Sequence, residues 1–190
     1  MAAPVTFSAP PRPAPALVFA GFLVASAAAL AAVFVMQFGF GLAPCVLCIW
    51  QRVPHAVAIL VAGIGIGSAR SAARMHDPGR AMPWRVFMAL AFLLLITYIA
   101  GSVLAAFHVG VEQHWWAGTE ACTGGAGSGL SAEQLQAQLL GTAPARCDEI
   151  AWSLFGISLA GYNFILSVGL SAGAAWALLR FARLRRKAQR

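Results

Sequence analysis

Charged side chains are scarce in this sequence, since only 10% of its 190 residues are Asp, Glu, Lys or Arg. A soluble globular domain carries about 25% charged and about 45–50% apolar residues, whereas 60% are hydrophobic here. The shortage of charge excludes an ordinary soluble domain and indicates an integral membrane protein. The net charge of +7 does not indicate nucleic-acid binding, because the basic residues flank apolar segments and form no interleaved aromatic and basic surface.

Four apolar segments are long enough to cross a bilayer, which takes about 20 residues. We expect membrane spans at about 16–36, 49–68, 86–107 and 156–179. A signal peptide is the alternative for the first segment, but the hydrophobic part of a signal peptide is only about 7–15 residues long. The predicted fold class is therefore an all-α membrane protein, a bundle of four transmembrane helices.

The segments between and beyond these spans differ in length and character. Residues 1–15 are rich in Pro and Ala, which predicts a disordered tail. The loop 37–48 is short, whereas the loop 108–155 is long and holds five of the six acids. Within the long loop, residues 131–134 form a capping-box pattern beside several leucines, which predicts a short amphipathic helix on the membrane surface.

The distribution of basic residues predicts the orientation in the membrane. Eleven of the thirteen Lys and Arg residues lie in the tail 1–15, the loop 70–85 and the basic tail 180–190. Because positive charge accumulates on the cytoplasmic side, we expect both termini in the cytoplasm. All four cysteines then lie on the outer, oxidising side, where disulfides persist.

The run Pro44-Cys45-Val46-Leu47-Cys48 is the strongest chemical motif in the chain. A Cys-x-x-Cys pair suits reversible thiol–disulfide exchange, because a first helical turn brings the sulfurs together and the helix dipole favours the thiolate. Arg52 follows four residues after Cys48, and a cation so close to the membrane interior is a functional candidate. Three roles are open to Arg52: stabilising a Cys48 thiolate, binding a ligand oxygen, or anchoring to lipid phosphate.

The cysteines also admit other interpretations. The distant pair, Cys122 and Cys147, is 25 positions apart and lacks the spacing of a second zinc half-site, so we expect no metal. Covalent haem attachment would need His after Cys48, where Ile49 stands. A structural disulfide remains an alternative for the close pair and is the simplest interpretation of the distant pair. The Gly-rich neighbourhood of Cys122 favours an exchangeable disulfide instead.

The chain resembles the DsbB family over about residues 16–179. Three features carry this resemblance: the cysteine run followed by Gln51-Arg52, the four spans, and an outer loop with two further cysteines. That family consists of membrane quinone reductases that reoxidise the periplasmic thiol oxidase DsbA. The resemblance implies a protein-disulfide:quinone oxidoreductase of the bacterial inner membrane. It also implies ubiquinone or menaquinone as cofactor, and a periplasmic thioredoxin-fold oxidase like DsbA as partner.

The resemblance also implies a role for each site residue. Cys122 would form the mixed disulfide with the partner, and Cys147 would be its disulfide partner and leaving group. Electrons would pass to the Cys45–Cys48 disulfide through a Cys45–Cys147 bond. Cys48 would then meet the quinone beside Arg52.

A histidine near the end of the third span belongs to the family's quinone site. His108 lies one residue from that position, and His55 and His114 are weaker rivals. Gln51 stands where many members carry an acid. Asn163, together with Tyr162, lies inside the fourth span, and both are expected to hydrogen-bond another helix.

Two competing functions remain. A protein similar to vitamin K epoxide reductase would also carry a Cys-x-x-Cys at the membrane surface, but in that family the pair lies later in the chain. A non-catalytic membrane scaffold would use its disulfides only to brace the outer loops. Trapping of a mixed disulfide with a thioredoxin-like partner discriminates the enzyme from the scaffold.

Overall fold

The computed structural model describes residues 15–74, 83–119, 122 and 145–190. The predicted disordered tail, apart from Pro15, and the predicted surface helix after residue 131 lie outside the described residues. In chain order the elements are α1 (Pro15–Phe34) with a π-helical extension (Val35–Gly39), α2 (Val46–Trp50), α3 (Arg52–Arg74), α4 (Trp84–Glu112), β1 (Ser153–Leu154), β2 (Ile157–Ser158) and α5 (Leu159–Ala188).

Four helical segments are long and apolar enough to span a membrane. They contain 25, 29, 29 and 30 residues and cover Pro15–Gly39, Val46–Arg74, Trp84–Glu112 and Leu159–Ala188. The prediction of an all-α membrane protein with four spanning helices is confirmed, and the chain is a multi-pass membrane protein. Each helix also continues past its apolar run, because backbone hydrogen bonding does not stop where side-chain hydropathy falls.

The helices pack in pairs, with α4 against α5 and α1 against α3, while α3 also contacts α4. A buried aromatic cluster joins the bundle at the end away from the cysteines, where the rings of Phe19, Phe87 and Phe181 lie 5.9–6.1 Å apart between centroids. Gly65 of α3 faces this cluster, and a Cβ at that position would lie 2.5 Å from the Phe19 ring. The absent side chain therefore permits the close approach of α1 and α3.

A short hairpin leads into the last helix. Its strands β1 and β2 are antiparallel, and its two-residue turn, Phe155-Gly156, has positive φ at both residues (51° and 77°). Such backbone values belong to the tight turns that match the twist of two paired strands. The hairpin occupies the beginning of the segment predicted as the fourth span, and α5 starts only at Leu159.

Ser158 ends the hairpin and caps α5. Its Oγ accepts a hydrogen bond from the backbone N–H of Gly161 at 3.1 Å, which satisfies one of the free donors of the first helical turn. The Tyr162 hydroxyl donates to the carbonyl of Leu154 at 3.0 Å, so its partner is the hairpin and not another helix, contrary to our expectation.

Candidate active site

All four cysteines gather at one end of the bundle. Cys45, Cys122 and Cys147 are buried in a single apolar cluster, and Cys48 packs against it while partly exposed. The structure holds them as free thiols. The backbone N–H of Cys147 donates to the carbonyl of Cys122 at 3.2 Å, so the two loop cysteines are adjacent. The predicted exchange residues thus form one group, although 102 positions separate the first from the last.

The close pair is organised by the start of α2. Cys45 precedes the helix with an extended backbone, and its Sγ accepts from the Cys48 backbone N–H at 3.3 Å. The two sulfurs lie 2.9 Å apart, and the Cys45 thiol donates to Cys48. This hydrogen bond, together with burial, raises the pKa of Cys45 to about 12. Cys45 therefore keeps its proton at neutral pH unless a base removes it.

Cys147 lies between the loop and the close pair. Its thiol is within hydrogen-bonding reach of both Cys122 and Cys45, and it is further contacted by the backbone N–H of Leu47. Burial first, and the Cys122 hydrogen bond second, raise the pKa of Cys147 far above its usual range. A thiolate of high pKa is a strong nucleophile once it forms. Exchange between Cys147 and Cys45 then needs little movement.

His108 contacts the close pair directly. Its Nε2 lies 3.5 Å from Cys45 Sγ, and its Nδ1 lies 2.6 Å from the Gln51 side-chain nitrogen. Of the three candidate histidines, His108 is the one placed against a cysteine sulfur. His114 is exposed, with a positive φ of 58°, and faces Asp148. His55 is buried, but its ring contacts Asn163 and Ser26 and not a cysteine.

Glu112 is a site residue that our sequence analysis missed. It lies one helical turn after His108, and its Oε1 is 3.9 Å from His108 Nε2. The residue is only 8% exposed, and the Ser158 hydroxyl donates to its Oε2. The i, i+4 spacing of His108 and Glu112 at the end of an apolar span was the available signal. We had assigned Glu112 to the polar loop instead.

A chain of buried hydrogen bonds continues from His108 into the bundle. Asn163 Nδ2 donates to Gln51 Oε1 at 2.6 Å, and Asn163 Oδ1 lies 2.8 Å from His55 Nε2. The expectation that Asn163 bonds another helix is confirmed. His55 Nδ1 lies 3.5 Å from Ser26 Oγ, which is 2.8 Å from the Tyr98 hydroxyl. The chain connects all four spanning segments.

Arg52 and a cavity adjoin the close pair on the side of α1. The cavity has a volume of ≈ 220 Å³, and its lining includes Cys48, Arg52, His108, Met36, Leu30 and Leu166. Arg52 donates to Gln37 Oε1 at 2.8 Å and lies 5.0 Å from the centroid of the Phe34 ring. Its Nε is buried and has no hydrogen-bond partner within the part of the chain that the structure describes. Because a guanidinium lines this mostly apolar cavity, the site suits a ligand oxygen that accepts a hydrogen bond.

The donor atoms of Cys45, Cys48 and His108 lie within 4.8 Å of one another, a spacing that a metal ion would also accept. A closed structural zinc site uses four ligands. Among the described residues this group supplies three, which is too few for a closed structural site.

Comparison with known proteins agrees with this geometry. The family model described as "Disulfide bond formation protein DsbB" matches residues 15–177. A "Disulfide bond formation protein B" of Xanthomonas axonopodis pv. citri is 33% identical over 171 residues, which cover 87% of this chain and 89% of that protein. The protein of the same name from Saccharophagus degradans is 32% identical over 168 residues, and the alignment covers 87% of this chain and 92% of that protein.

A further relative of that name, from Stutzerimonas stutzeri, is 28% identical over 173 residues, and the alignment covers 87% of this chain and 96% of the relative. No solved structure matches the chain. The family match extends over most of the four-helix bundle and over all four cysteines. The chain therefore belongs to the DsbB family of membrane disulfide oxidoreductases.

Proposed function

We propose that this protein takes two electrons from the dithiol of a soluble, periplasmic thioredoxin-fold oxidase like DsbA and delivers them to a quinone of the inner membrane. The partner leaves as a disulfide, ready to oxidise other proteins. The observation that carries this proposal is the position of Cys147, in reach of both Cys122 and Cys45. A sulfur between two cysteine pairs is what a thiol relay requires.

The relay starts at the loop cysteines. A thiolate of the partner attacks Cys122 in a Cys122–Cys147 disulfide, and Cys147 leaves. The partner's second thiol resolves this mixed disulfide, so that the partner is oxidised and the loop cysteines are reduced. Each step exchanges one S–S bond for another.

The electrons then move to the close pair. A Cys147 thiolate attacks Cys45 of a Cys45–Cys48 disulfide and frees Cys48, after which Cys122 resolves the Cys45–Cys147 bond. The loop disulfide is restored, and the close pair now holds the two electrons as a dithiol. Contact between Cys147 and Cys45 supports this order.

The cavity beside Cys48 fits the head of a quinone. Its ≈ 220 Å³ is below the ~300–1,000 Å³ of pockets that enclose a drug-sized ligand, so a single ring fits while an apolar tail extends into lipid. A bound quinone supplies the oxidising power, since it can accept two electrons and two protons. The Arg52 guanidinium would donate to a quinone oxygen, and His108 would line the same cavity.

Two other functions fit these observations less well. A scaffold with bracing disulfides would not need a cation that lines a cavity next to a thiol. A protein similar to vitamin K epoxide reductase would carry its close pair later in the chain, whereas Cys45 and Cys48 follow the first span directly.

Trapping of the partner tests the class and the partner together. In a Cys147→Ser variant, the free Cys122 thiolate can attack the disulfide of an oxidised partner, and no Cys147 thiol is present to displace the partner again, so we expect a mixed disulfide between Cys122 and a thioredoxin-fold protein to accumulate. Cys122→Ser is the matched control and should trap nothing at the loop. Purified protein should reduce added ubiquinone or menaquinone only when reduced partner is supplied, and Cys48→Ser should abolish this. Full quinone reduction by the Cys48→Ser variant would contradict the mechanism.

A further inference from the structure

We propose that the end of α5 remote from the cysteines binds the phosphate headgroup of an anionic phospholipid. The site is a groove of ≈ 260 Å³ on the outward side of the helix, here called the α5 groove. Its lining combines three cations with three apolar side chains, namely Arg180, Arg183, Lys187, Trp176, Leu179 and Leu184. The proposal goes beyond the thiol relay, because the α5 groove shares no lining residue with the cavity beside Cys48.

The α5 groove is a product of helical spacing. Trp176, Arg180, Arg183 and Lys187 follow one another at intervals of four, three and four residues, so they lie along one side of α5. Trp176 is 54% exposed, whereas Phe181 on the other side of the helix is buried in the bundle. Every lining residue belongs to α5, so the groove opens toward whatever surrounds the protein.

The helix leaves the hydrocarbon core of the bilayer at this level. α5 begins at Leu159 and has 30 residues. Because each residue adds about 1.5 Å and the core is about 30 Å thick, about 20 residues cross it, which places its edge near Leu179. Trp176 and Leu179 then meet acyl chains, and the three cations that follow meet headgroups. A phospholipid presents its apolar part and its phosphate in the same order.

Arg180 is oriented before an anion binds. Its guanidinium carbon lies 5.2 Å from the centroid of the Trp176 ring, which is a cation–π contact. A guanidinium that lies over a ring uses its face for that contact, while its N–H groups point outward in the plane and can donate to phosphate oxygens. Because the ring already restricts the side chain, less conformational freedom is lost when an anion binds.

Carboxylates are scarce near the α5 groove, so its charge calls for an anion from outside the chain. No Asp or Glu follows Glu149 in the sequence. The loop 70–85 and the tail 180–190 hold four and six basic residues against a single acid, Asp77. Among the residues that the structure describes, none of the three groove cations forms an ion pair with a carboxylate. Basic pockets at a membrane surface bind anionic headgroups for this reason.

A lipid fits the α5 groove better than a soluble phosphate compound does. Three of the six lining side chains are apolar, and a soluble anion would gain nothing from them. The volume of ≈ 260 Å³ lies below the ~300–1,000 Å³ of pockets that enclose a drug-sized ligand, so the groove holds a headgroup and not a whole lipid. The acyl chains continue past Leu179, which is 59% exposed, into the bilayer.

Native mass spectrometry of the full-length protein tests the site. The protein is purified in detergent, freed of lipid and titrated with anionic dioleoylphosphatidylglycerol or with zwitterionic dioleoylphosphatidylcholine. We expect the first phosphatidylglycerol to bind more tightly than further copies, and phosphatidylcholine to show no such preference. Arg180→Gln/Arg183→Gln should lower the affinity for the first phosphatidylglycerol about 25-fold, which is about fivefold for each cation removed.

A matched control carries the same loss of charge outside the α5 groove. Arg185→Gln/Arg186→Gln changes the same helix but not the groove lining, so the preference for phosphatidylglycerol should remain. Trp176→Leu keeps an apolar side chain but removes the ring beside Arg180, and should weaken binding about two- to fivefold. If the double groove variant fails to fold, Arg183→Gln changes one exposed residue and should show the loss of about fivefold by itself.

Equal losses of affinity in the two double variants would overturn the proposal, since they would mark a general attraction between basic residues and anionic lipid. Equal affinity of the wild type for both lipids would also overturn it. Millimolar inorganic phosphate should leave phosphatidylglycerol bound, and displacement of the lipid would assign the groove to soluble phosphate instead. The measurement uses neither quinone nor thiol exchange, so failure of the thiol relay would leave its outcome unchanged.

Discussion

Gln51 and His108 are joined by a hydrogen bond that fixes the tautomer of the imidazole. The Gln51 amide nitrogen lies 2.6 Å from Nδ1 and can only donate, so the ring hydrogen is on Nε2. The rest of the chain is compatible with this tautomer, because Asn163 donates to Gln51 Oε1 and the Tyr98 hydroxyl can donate to Ser26 Oγ. The reverse polarity would leave the Tyr98 hydrogen without an acceptor among the described residues.

Replacing Gln51 should change the tautomer. In the wild type we expect His108 to carry its hydrogen on Nε2, as read from the ¹⁵N shifts of histidine-labelled protein. Gln51→Glu places an acceptor at Nδ1 and should draw a proton to that nitrogen, while Gln51→Leu should remove the preference. Leu also leaves the Asn163 donor unpaired, at a cost of about 1–3 kcal/mol. His108→Gln assigns the signal, and a wild-type Nδ1–H would contradict the network.

Arg52 should act on the quinone and not on the partner. Arg52→His removes the guanidinium that lines the cavity, and a charge-assisted hydrogen bond contributes about 1.5–3 kcal/mol. The KM for quinone should therefore rise roughly 10- to 100-fold, while mixed-disulfide formation at Cys122 continues at its normal rate. Arg70→His, an exposed change near the other end of the same helix, is the control. An unchanged quinone KM would show that Arg52 is only a lipid anchor.

Substitution by alanine should change the stability of the protein differently at two glycines of α3. Gly65→Ala forces a Cβ to within 2.5 Å of the buried Phe19 ring, so we expect a loss of about 1–3 kcal/mol in stability. Gly63→Ala meets nothing within 4 Å and should be close to neutral. Unfolding by SDS titration in mixed micelles, followed by tryptophan fluorescence, measures both. Equal stability of the two variants would contradict the packing of α1 on α3.

The orientation in the membrane can be tested with single cysteines. In a variant whose four natural cysteines are serine, Ala151→Cys should react with a membrane-impermeant maleimide in intact spheroplasts. Ala188→Cys should react only after permeabilisation, because the basic end of α5 is expected in the cytoplasm. Both positions are exposed, so accessibility within the protein does not bias the comparison. Labelling of Ala188→Cys in intact spheroplasts would reverse the topology.

The membrane architecture was predictable because it depends on local composition. A run of about 20 uncharged residues has few alternatives to a spanning helix, and the four runs are confirmed as helices. The closeness of Cys45 and Cys48 is equally local, since it follows from the first turn of α2.

The wider site was not predictable, because it depends on how distant segments pack. The apolar run ends at residue 107, and the sequence therefore predicts a loop at Glu112. In the structure α4 continues to Glu112 and brings it one turn from His108. Gln51 and Asn163 are 112 positions apart and meet only because α3 and α5 both pack against α4. No periodicity in either segment indicates that contact.

The backbone hydrogen bond between Cys147 and Cys122 makes neighbours of two cysteines that flank a 24-residue segment. The cost of closing such a ring grows only slowly with its length, by about 0.6 kcal/mol for each doubling. Insertions and deletions inside the ring therefore leave the sulfurs in place. Related chains can therefore differ in the length of this segment while the cysteine group keeps its geometry.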